Sequence, residues 1–301
     1  MSQSPASKPE AFRIAASIEA TPKQVIEGDR VEGLFPAGTR VYLTDVGTAP
    51  AREFARAAKI LAAAGYRPVP HLPARRVSGE AELRERLNLL TGEAGVDDVL
   101  VIAGSVDKPA GDLLSTMDVL NTGILADFGI RTIGIAGHPE GSPDISAEAI
   151  SQALAEKQAY AAEHGVDMRI VTQFGFDAQR FIDWAHGLAA SGNRLPIHVG
   201  VAGPAKITTL LKYAALCGVG PSLDFLKKRA TSVMALAAGF SPEGVVEPIE
   251  THIAGCPNCP IAQLHVFPFG GLRKTAEWLA QRGSWFGSNG KGDATYFAET
   301  K

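Results

Sequence analysis

Short apolar runs recur along this chain, and most of them end on an isolated polar residue. Phe12 to Ile18 ends in Glu19, Val41 to Leu43 in Thr44, and Pro68 to Pro70 in His71. Val99 to Ala103 leads to Asp107, Thr132 to Ala136 leads to His138 and Glu140, and Met168 to Val171 ends in Thr172 and Gln173. Several runs are rich in Val and Ile rather than alternating, as strands buried on both faces of a parallel sheet are. Eight strands are predicted, at about 12–18, 39–44, 67–71, 98–103, 131–136, 168–173, 196–202 and 263–268.

Helical patterns lie between the runs. Residues 49–61 are Ala-rich and amphipathic, with Gly65 as a stop. Residues 79–90 are charged on one side and carry Leu83, Leu87 and Leu90 on the other. The stretch 146–164 opens on a Ser cap and ends at Gly165, and 205–217 and 271–281 look similar. Strands alternating with helices, with polar groups at the strand ends, predict an α/β fold: a (β/α)8 barrel with its active site at the C-terminal face. Residues 218–262 depart from a minimal unit. They predict a helix at about 222–238, then a Pro/Gly-rich passage, so an extra helix or long loop is expected before the last strand.

The length of 301 residues suits one barrel, since such domains run to about 250 residues or more. The expectation is a single catalytic barrel over 1–301, with short tails at 1–10 and about 283–301. The net charge of -3 gives no reason to expect a nucleic acid or a membrane surface as partner. No apolar run is long enough to span a bilayer and no signal pattern opens the chain, and three cysteines argue against a disulfide framework. A cytoplasmic enzyme is expected, with homo-oligomerisation left open.

Two segments narrow the chemistry: His138-Pro139-Glu140-Gly141-Ser142-Pro143, and Val171-Thr172-Gln173-Phe174-Gly175-Phe176-Asp177. Together they resemble the paired signatures of methylenetetrahydrofolate reductase, a flavin-dependent barrel family. Ser17-Ile18-Glu19, Thr44, Pro70-His71-Leu72, Asp107-Lys108-Pro109 and His265-Val266-Phe267 resemble that family's strand ends one, two, three, four and eight, in order. The resemblance spans residues 12–282. It implies FAD as cofactor, NADH or NADPH as reductant, and hydride transfer to 5,10-methylenetetrahydrofolate, giving 5-methyltetrahydrofolate in one-carbon metabolism. The same enzyme could run oxidatively.

The resemblance also implies roles. Glu19 is the candidate general acid, and burial at a strand end is expected to raise its pKa and keep it protonated. Asp107 would lie near the flavin ring and stabilise the folate cation. Gln173 would hydrogen-bond the pterin or the nicotinamide amide, and Phe225 is an aromatic candidate for closing over the substrate, against a plain core role. Thr44, His71, Ser105, His138 and Lys157 would line the cofactor, and Glu140 would hold its loop. Two of the family's phosphate-pairing cations are missing: Glu156 precedes Lys157, and no arginine lies within Ala103 to Asp107. Arg75 and Arg76, or backbone amides near Gly104 and Ser105, are the candidate replacements.

Cys256-Pro257-Asn258-Cys259-Pro260 is a CxxC flanked by His252 and His265. Packing in a Pro-rich loop is the reading adopted, with no metal; a zinc site and a redox pair are the alternatives. Two further functions stay open beside the folate reductase. One is a folate barrel using a non-flavin hydride carrier, which the missing arginines favour. The other is a non-catalytic or metal-bearing subunit, supported by the CxxC.

Overall fold

All eight predicted strands form, and they close. The structure is a computed structural model describing residues 12–28, 30–47, 49–106, 108–143, 145–217, 219–229 and 239–285. Its strands are β1 (Ala16–Ala20), β2 (Arg40–Leu43), β3 (Arg67–Pro73), β4 (Asp98–Ile102), β5 (Thr132–Gly137), β6 (Asp167–Gly175), β7 (Ile197–Ala202) and β10 (Ile261–Phe267). They pair in parallel in the closed order β1-β10-β7-β6-β5-β4-β3-β2. With helices outside, this is a (β/α)8 barrel.

Strand one begins later than its apolar run. Pairing with β10 starts at Ala16, opposite Leu264. Upstream, the Ile14 amide donates to Glu250 Oε1 at 3.0 Å and Arg13 pairs with Glu250 Oε2 at 2.9 Å. The segment before Ala16 is therefore tied to a helix as well as to β10, whose Leu264 amide donates to the Ala15 carbonyl at 2.9 Å.

The predicted helices appear as α2 (Ala51–Ala63), α3 (Glu80–Ala94), α6 (Ala147–His164), α8 (Ile207–Leu216) and α11 (Leu272–Arg282). Ala205 and Lys206, read above as the start of a helix, instead form a two-residue strand β8 (Ala205–Lys206), antiparallel to β9 (Gly239–Phe240). Four more turns of the chain are helical: α1 (Pro22–Glu27), α4 (Thr116–Asn121), α5 (Ile124–Asp127) and α7 (Ala178–Ala190). The first has a capping box: Thr21 Oγ1 accepts the Gln24 amide at 3.2 Å, and Gln24 Oε1 accepts the Thr21 amide at 2.8 Å. Asp177, the last residue of the second signature, accepts the amides of Gln179 and Arg180 and so caps α7.

The insertion before the last strand contains α9 (Gly220–Arg229), where an extra helix was expected, and α10 (Glu243–Ala254), which forms within the passage expected to be Pro/Gly-rich. The helix predicted at about 222–238 lies outside the described residues beyond position 229, as do the tail at 1–10 and most of that at 283–301. Ser284 is fully buried and the Trp285 ring lies 5.3 Å from Phe35, so the chain just after the last helix packs on the barrel. Among the described residues no helix is long and apolar enough to cross a membrane.

Two cores result. The larger lies between strands and helices and includes Ile18, Val41, Leu43, Val99, Val101, Ile135 and Val199. The smaller fills the barrel itself with Tyr42, Val69, Leu100 and Val171, with Ile102 against them. Below this layer the interior is charged. Arg169 Nη2 pairs with Asp98 Oδ1 at 2.8 Å, Arg169 Nε donates to Tyr42 Oη at 2.8 Å, and Arg40 Nε reaches Asp98 Oδ2 at 3.1 Å. Asp98 is fully buried. Burial opposes the Arg169 charge, but Tyr42 and Asp98 outweigh it and raise the Arg169 pKa. A plug of charge thus sits under the mouth, held by satisfied hydrogen bonds.

Candidate active site at the barrel mouth

The parallel register decides which polar residues meet. Ser17 and Glu19 are two apart on β1 and so face the same side of the sheet. Ser17 lies opposite His265 of β10, and Glu19 opposite Tyr42 of β2. Thr44 follows β2 directly, and His71 lies near the end of β3. The barrel closure therefore gathers residues 246 positions apart in sequence.

Glu19 is the centre of this group. Thr44 Oγ1 donates to Glu19 Oε2 at 3.2 Å. His265 Nε2 lies 3.2 Å from Glu19 Oε1, and His71 Nε2 lies 3.5 Å from the same oxygen. Ser17 Oγ lies 3.1 Å from His265 Nδ1 and 3.2 Å from the Leu264 carbonyl. The Glu19 side chain is 13% exposed and that of His265 is fully buried. Which ring nitrogen of His265 donates, toward Ser17 or toward Glu19, is set by its tautomer.

The protonation expected from sequence is corrected here. Burial pushes the Glu19 pKa up, but the hydrogen bond and charge of His265, then His71 and Thr44, push it down further, and the net direction is downward. A strand-end carboxylate read alone shows only the burial. His71 is driven the other way: burial dominates and lowers its pKa. Its Nε2 is buried with no hydrogen-bond partner among the described residues, so it offers a bound molecule a polar contact.

Gln173 stands in an irregular stretch of β6. The register between β6 and β7 shifts between Val171 and Phe174. Thr172 Oγ1 accepts the Gly200 amide at 2.8 Å and donates to the Gln173 carbonyl at 2.8 Å. A Cβ at Gly200 would lie 2.5 Å from both the Thr172 and the Gln173 carbonyl oxygens, so only glycine lets the bulge form. Bulges of this kind re-aim side chains beside active sites.

An aromatic wall continues from the same edge. His265 meets Phe267 edge-on at 4.9 Å, Phe267 and Phe269 pack on Phe174, and Tyr213 of α8 stacks on Phe269 at 4.4 Å. Phe225 of α9 stacks on Phe176 with centroids 6.0 Å apart and planes 4° apart. Cys217, after α8, feels the Glu19 charge; burial first, then that charge, raises its thiol pKa. Glu140 ties this insertion to the mouth, accepting the Ser222 hydroxyl at 2.6 Å and the Ser222 amide at 3.1 Å. It holds α9 as well as its own loop.

The predicted cofactor residues fall into separate groups. Thr44 and His71 belong to the Glu19 cluster. His138, directly after β5, lines a cavity of about 610 Å³ between the β5 loop, α6 and α7, together with Glu140, Leu154 and Trp184. Burial lowers the pKa of both His138 and Lys157, and the Lys157 charge lowers that of His138 further, so the two are neighbours. Ser105 is exposed after β4, following Gly104 at φ 85°. Asp107 lies outside the described residues. Of the candidate replacement cations, Arg75 donates its Nε to the Leu114 carbonyl at 2.8 Å, and the Arg76 guanidinium lies over Gly47.

Sequence reasoning left His265 to strand eight without a role and passed over Ser17, Gly200 and Cys217. The alternating period of β10 was a usable signal for His265, because it puts Gln263, His265 and Phe267 on one face.

No family model matches the chain. Among solved structures, a Clostridium thermocellum protein that binds two copies of 5-methyl-5,6,7,8-tetrahydrofolic acid is similar, with a TM-score of 0.55 and 13% identity over 89% of this chain and 97% of that one. A family 18 chitinase from Crocus vernus is similar with a TM-score of 0.51 and 9% identity, over 90% and 98% of the two chains. What these proteins and this chain share is the eight-stranded barrel fold.

Proposed function

We propose that this chain is a folate-dependent barrel oxidoreductase, a methylenetetrahydrofolate reductase that carries hydride from NAD(P)H through FAD to 5,10-methylenetetrahydrofolate. The observation that carries the reading is the meeting of Glu19, Thr44, His71 and His265 at one point of the mouth. Support comes from the ordered resemblance along residues 12–282 and from the tetrahydrofolate-binding barrel with the same fold.

The chemistry asks for a proton and a charge. The bridging methylene becomes an electrophilic iminium only when one nitrogen leaves, and a positioned acid there contributes roughly 10²–10⁴ in rate. Glu19 is the proposed acid: it takes up a proton when folate covers the mouth, passes it to the leaving nitrogen and is left a carboxylate facing the cation, with Thr44 donating to its second oxygen. Asp107 adds a second negative charge. Gln173 offers both an amide donor and an acceptor to the pterin or to the nicotinamide. Phe225 closes the aromatic side. In the oxidative direction Glu19 accepts the proton instead.

Thr44, the open Nε2 of His71, the Ser105 loop, His138 and Lys157 would hold the flavin, which when bound supplies the hydride. His71 and the His138–Lys157 pair fit that group. The engaged Arg75 favours a second reading, a folate enzyme with a non-flavin hydride carrier. The visible spectrum after incubation with excess FAD and gel filtration separates the two. A retained flavin spectrum that bleaches with NAD(P)H and recovers with methylenetetrahydrofolate is expected. A colourless protein that still binds 5-methyltetrahydrofolate would replace the flavin reading with the second.

A further inference from the structure

The CxxC segment plays no part in the mouth, because His265, one of its two flanking histidines, belongs to the Glu19 cluster. The structure supplies a different partner. His252 lies in the last turn of α10, and Cys256 and Cys259 follow on the loop into β10. Helix α7 packs against α10 and brings in His186. The two Nε2 atoms of His186 and His252 lie 2.7 Å apart, with ring centroids at 4.9 Å and planes 85° apart. The ligand atoms of His186, His252 and Cys256 all lie within 4.8 Å of one another.

Cys259 lies outside that group of three but beside Cys256, and supplies a second thiol. Its amide donates to the Cys256 carbonyl at 3.1 Å, the turn that brings the two thiols together, and the thiols are in hydrogen-bond contact. The Cys259 sulfur also accepts the Ile261 amide. Both cysteines are unbridged, and all four residues are half-buried. An open groove lined by Gln179, Glu247, Thr251 and His252 leads from solvent to His252.

Two nitrogens and two sulfurs are the donor set of closed zinc sites. Two histidine nitrogens on one tetrahedral zinc stand about 3.3 Å apart, given zinc–nitrogen bonds of about 2.0–2.1 Å. The His186–His252 pair needs to open by only roughly 0.6 Å from its 2.7 Å contact to take the ion. We propose that His186, His252, Cys256 and Cys259 form a binding site for a zinc-class divalent cation on the outer wall of the barrel. All four ligands come from the protein, so the site is structural. It staples α7 to α10 and anchors the entry to β10, the strand that carries His265. The site stands apart from the folate reading and does not depend on it.

The test is titration of the reduced, metal-stripped full chain with Co²⁺, followed by displacement with Zn²⁺. One equivalent is expected, with a tetrahedral visible spectrum and a thiolate-to-metal band that zinc abolishes. Cys259→Ser and His186→Ala, each checked for folding by circular dichroism, are expected to weaken binding 10-fold or more. Zinc is also expected to raise the Tm of the native protein but not of the double variant Cys256→Ser/Cys259→Ser. Absence of a one-equivalent tetrahedral species, or an unchanged spectrum and affinity in both folded single variants, would overturn the site. So would reduced protein that takes up no metal while the air-exposed protein carries a Cys256–Cys259 disulfide.

Discussion

Glu19 behaves as it does because of what the barrel closes around it. Burial alone would raise its pKa, and His265 foremost, with His71 and Thr44, reverses that. Replacing His265 by Ala removes the largest lowering influence and leaves burial to act, so the Glu19 pKa is expected to move upward. Infrared difference spectra of the carboxyl band against pH, with Glu19→Gln as the blank, read this directly. A midpoint that stays put or moves down would show that His265 does not govern the carboxylate. Glu19, Thr44 and His71 were legible in the sequence because each is a lone polar residue at the end of an apolar run. Their meeting with His265 was not, since it requires the first and last barrel strands to pair. His186 was invisible beside the CxxC for the same reason: it lies 66 residues from His252.

At the scale of the element, the second signature is divided between two tasks. Thr172 and Gln173 form the irregularity in β6, while Asp177 caps the helix that follows. The signature runs straight into α7, which hid the helix start from a reading that treated these residues as chemistry. Gly200, on the neighbouring strand, looks like an ordinary strand residue until the bulge is seen. Gly200→Ala would press a methyl group on two carbonyl oxygens. It is expected to destabilise the fold by about 1–3 kcal/mol, as overpacking does, and to weaken folate binding by displacing Gln173. Urea unfolding and a folate titration check the two effects; full stability together with full affinity would mean that the bulge does not position Gln173. The eight strands and α2, α3, α6, α8 and α11 were legible from their patterning, whereas α10 formed in a stretch read as a Pro/Gly-rich passage. The short α1, α4 and α5 were not, because helices of four to six residues leave little periodicity to read.

For the whole molecule, the alternation of strand and helix was enough to give the barrel, but not the polarity of its interior. Asp98 and Arg169 sit inside apolar runs, where single charges read as strand edges. In the closed barrel they meet, and Arg40 joins them. Arg169→Met would leave the buried Asp98 with Arg40 alone. A cost near 3 kcal/mol is expected, the low end for breaking a buried pair. Asp98→Leu combined with Arg169→Met is expected to cost less than the two single changes added, because their charges are coupled. Denaturant unfolding of the four proteins of this cycle gives the coupling. Strict additivity would mean that the plug is not an interacting unit. The plug supports the mouth from below, and the α9–α10 insertion covers it from the side through Glu140 and Ser222.

The most direct test of the proposed function is the folate half-reaction. Flavin-loaded protein is reduced anaerobically with NAD(P)H, then mixed with 5,10-methylenetetrahydrofolate, in the native form and as Glu19→Gln. The native flavin is expected to reoxidise with formation of 5-methyltetrahydrofolate. The variant is expected to be reduced normally and to reoxidise roughly 10²–10⁴ times more slowly. Reoxidation at the native rate in Glu19→Gln would remove Glu19 from the chemistry, and a native flavin indifferent to the folate would contradict the reductase itself.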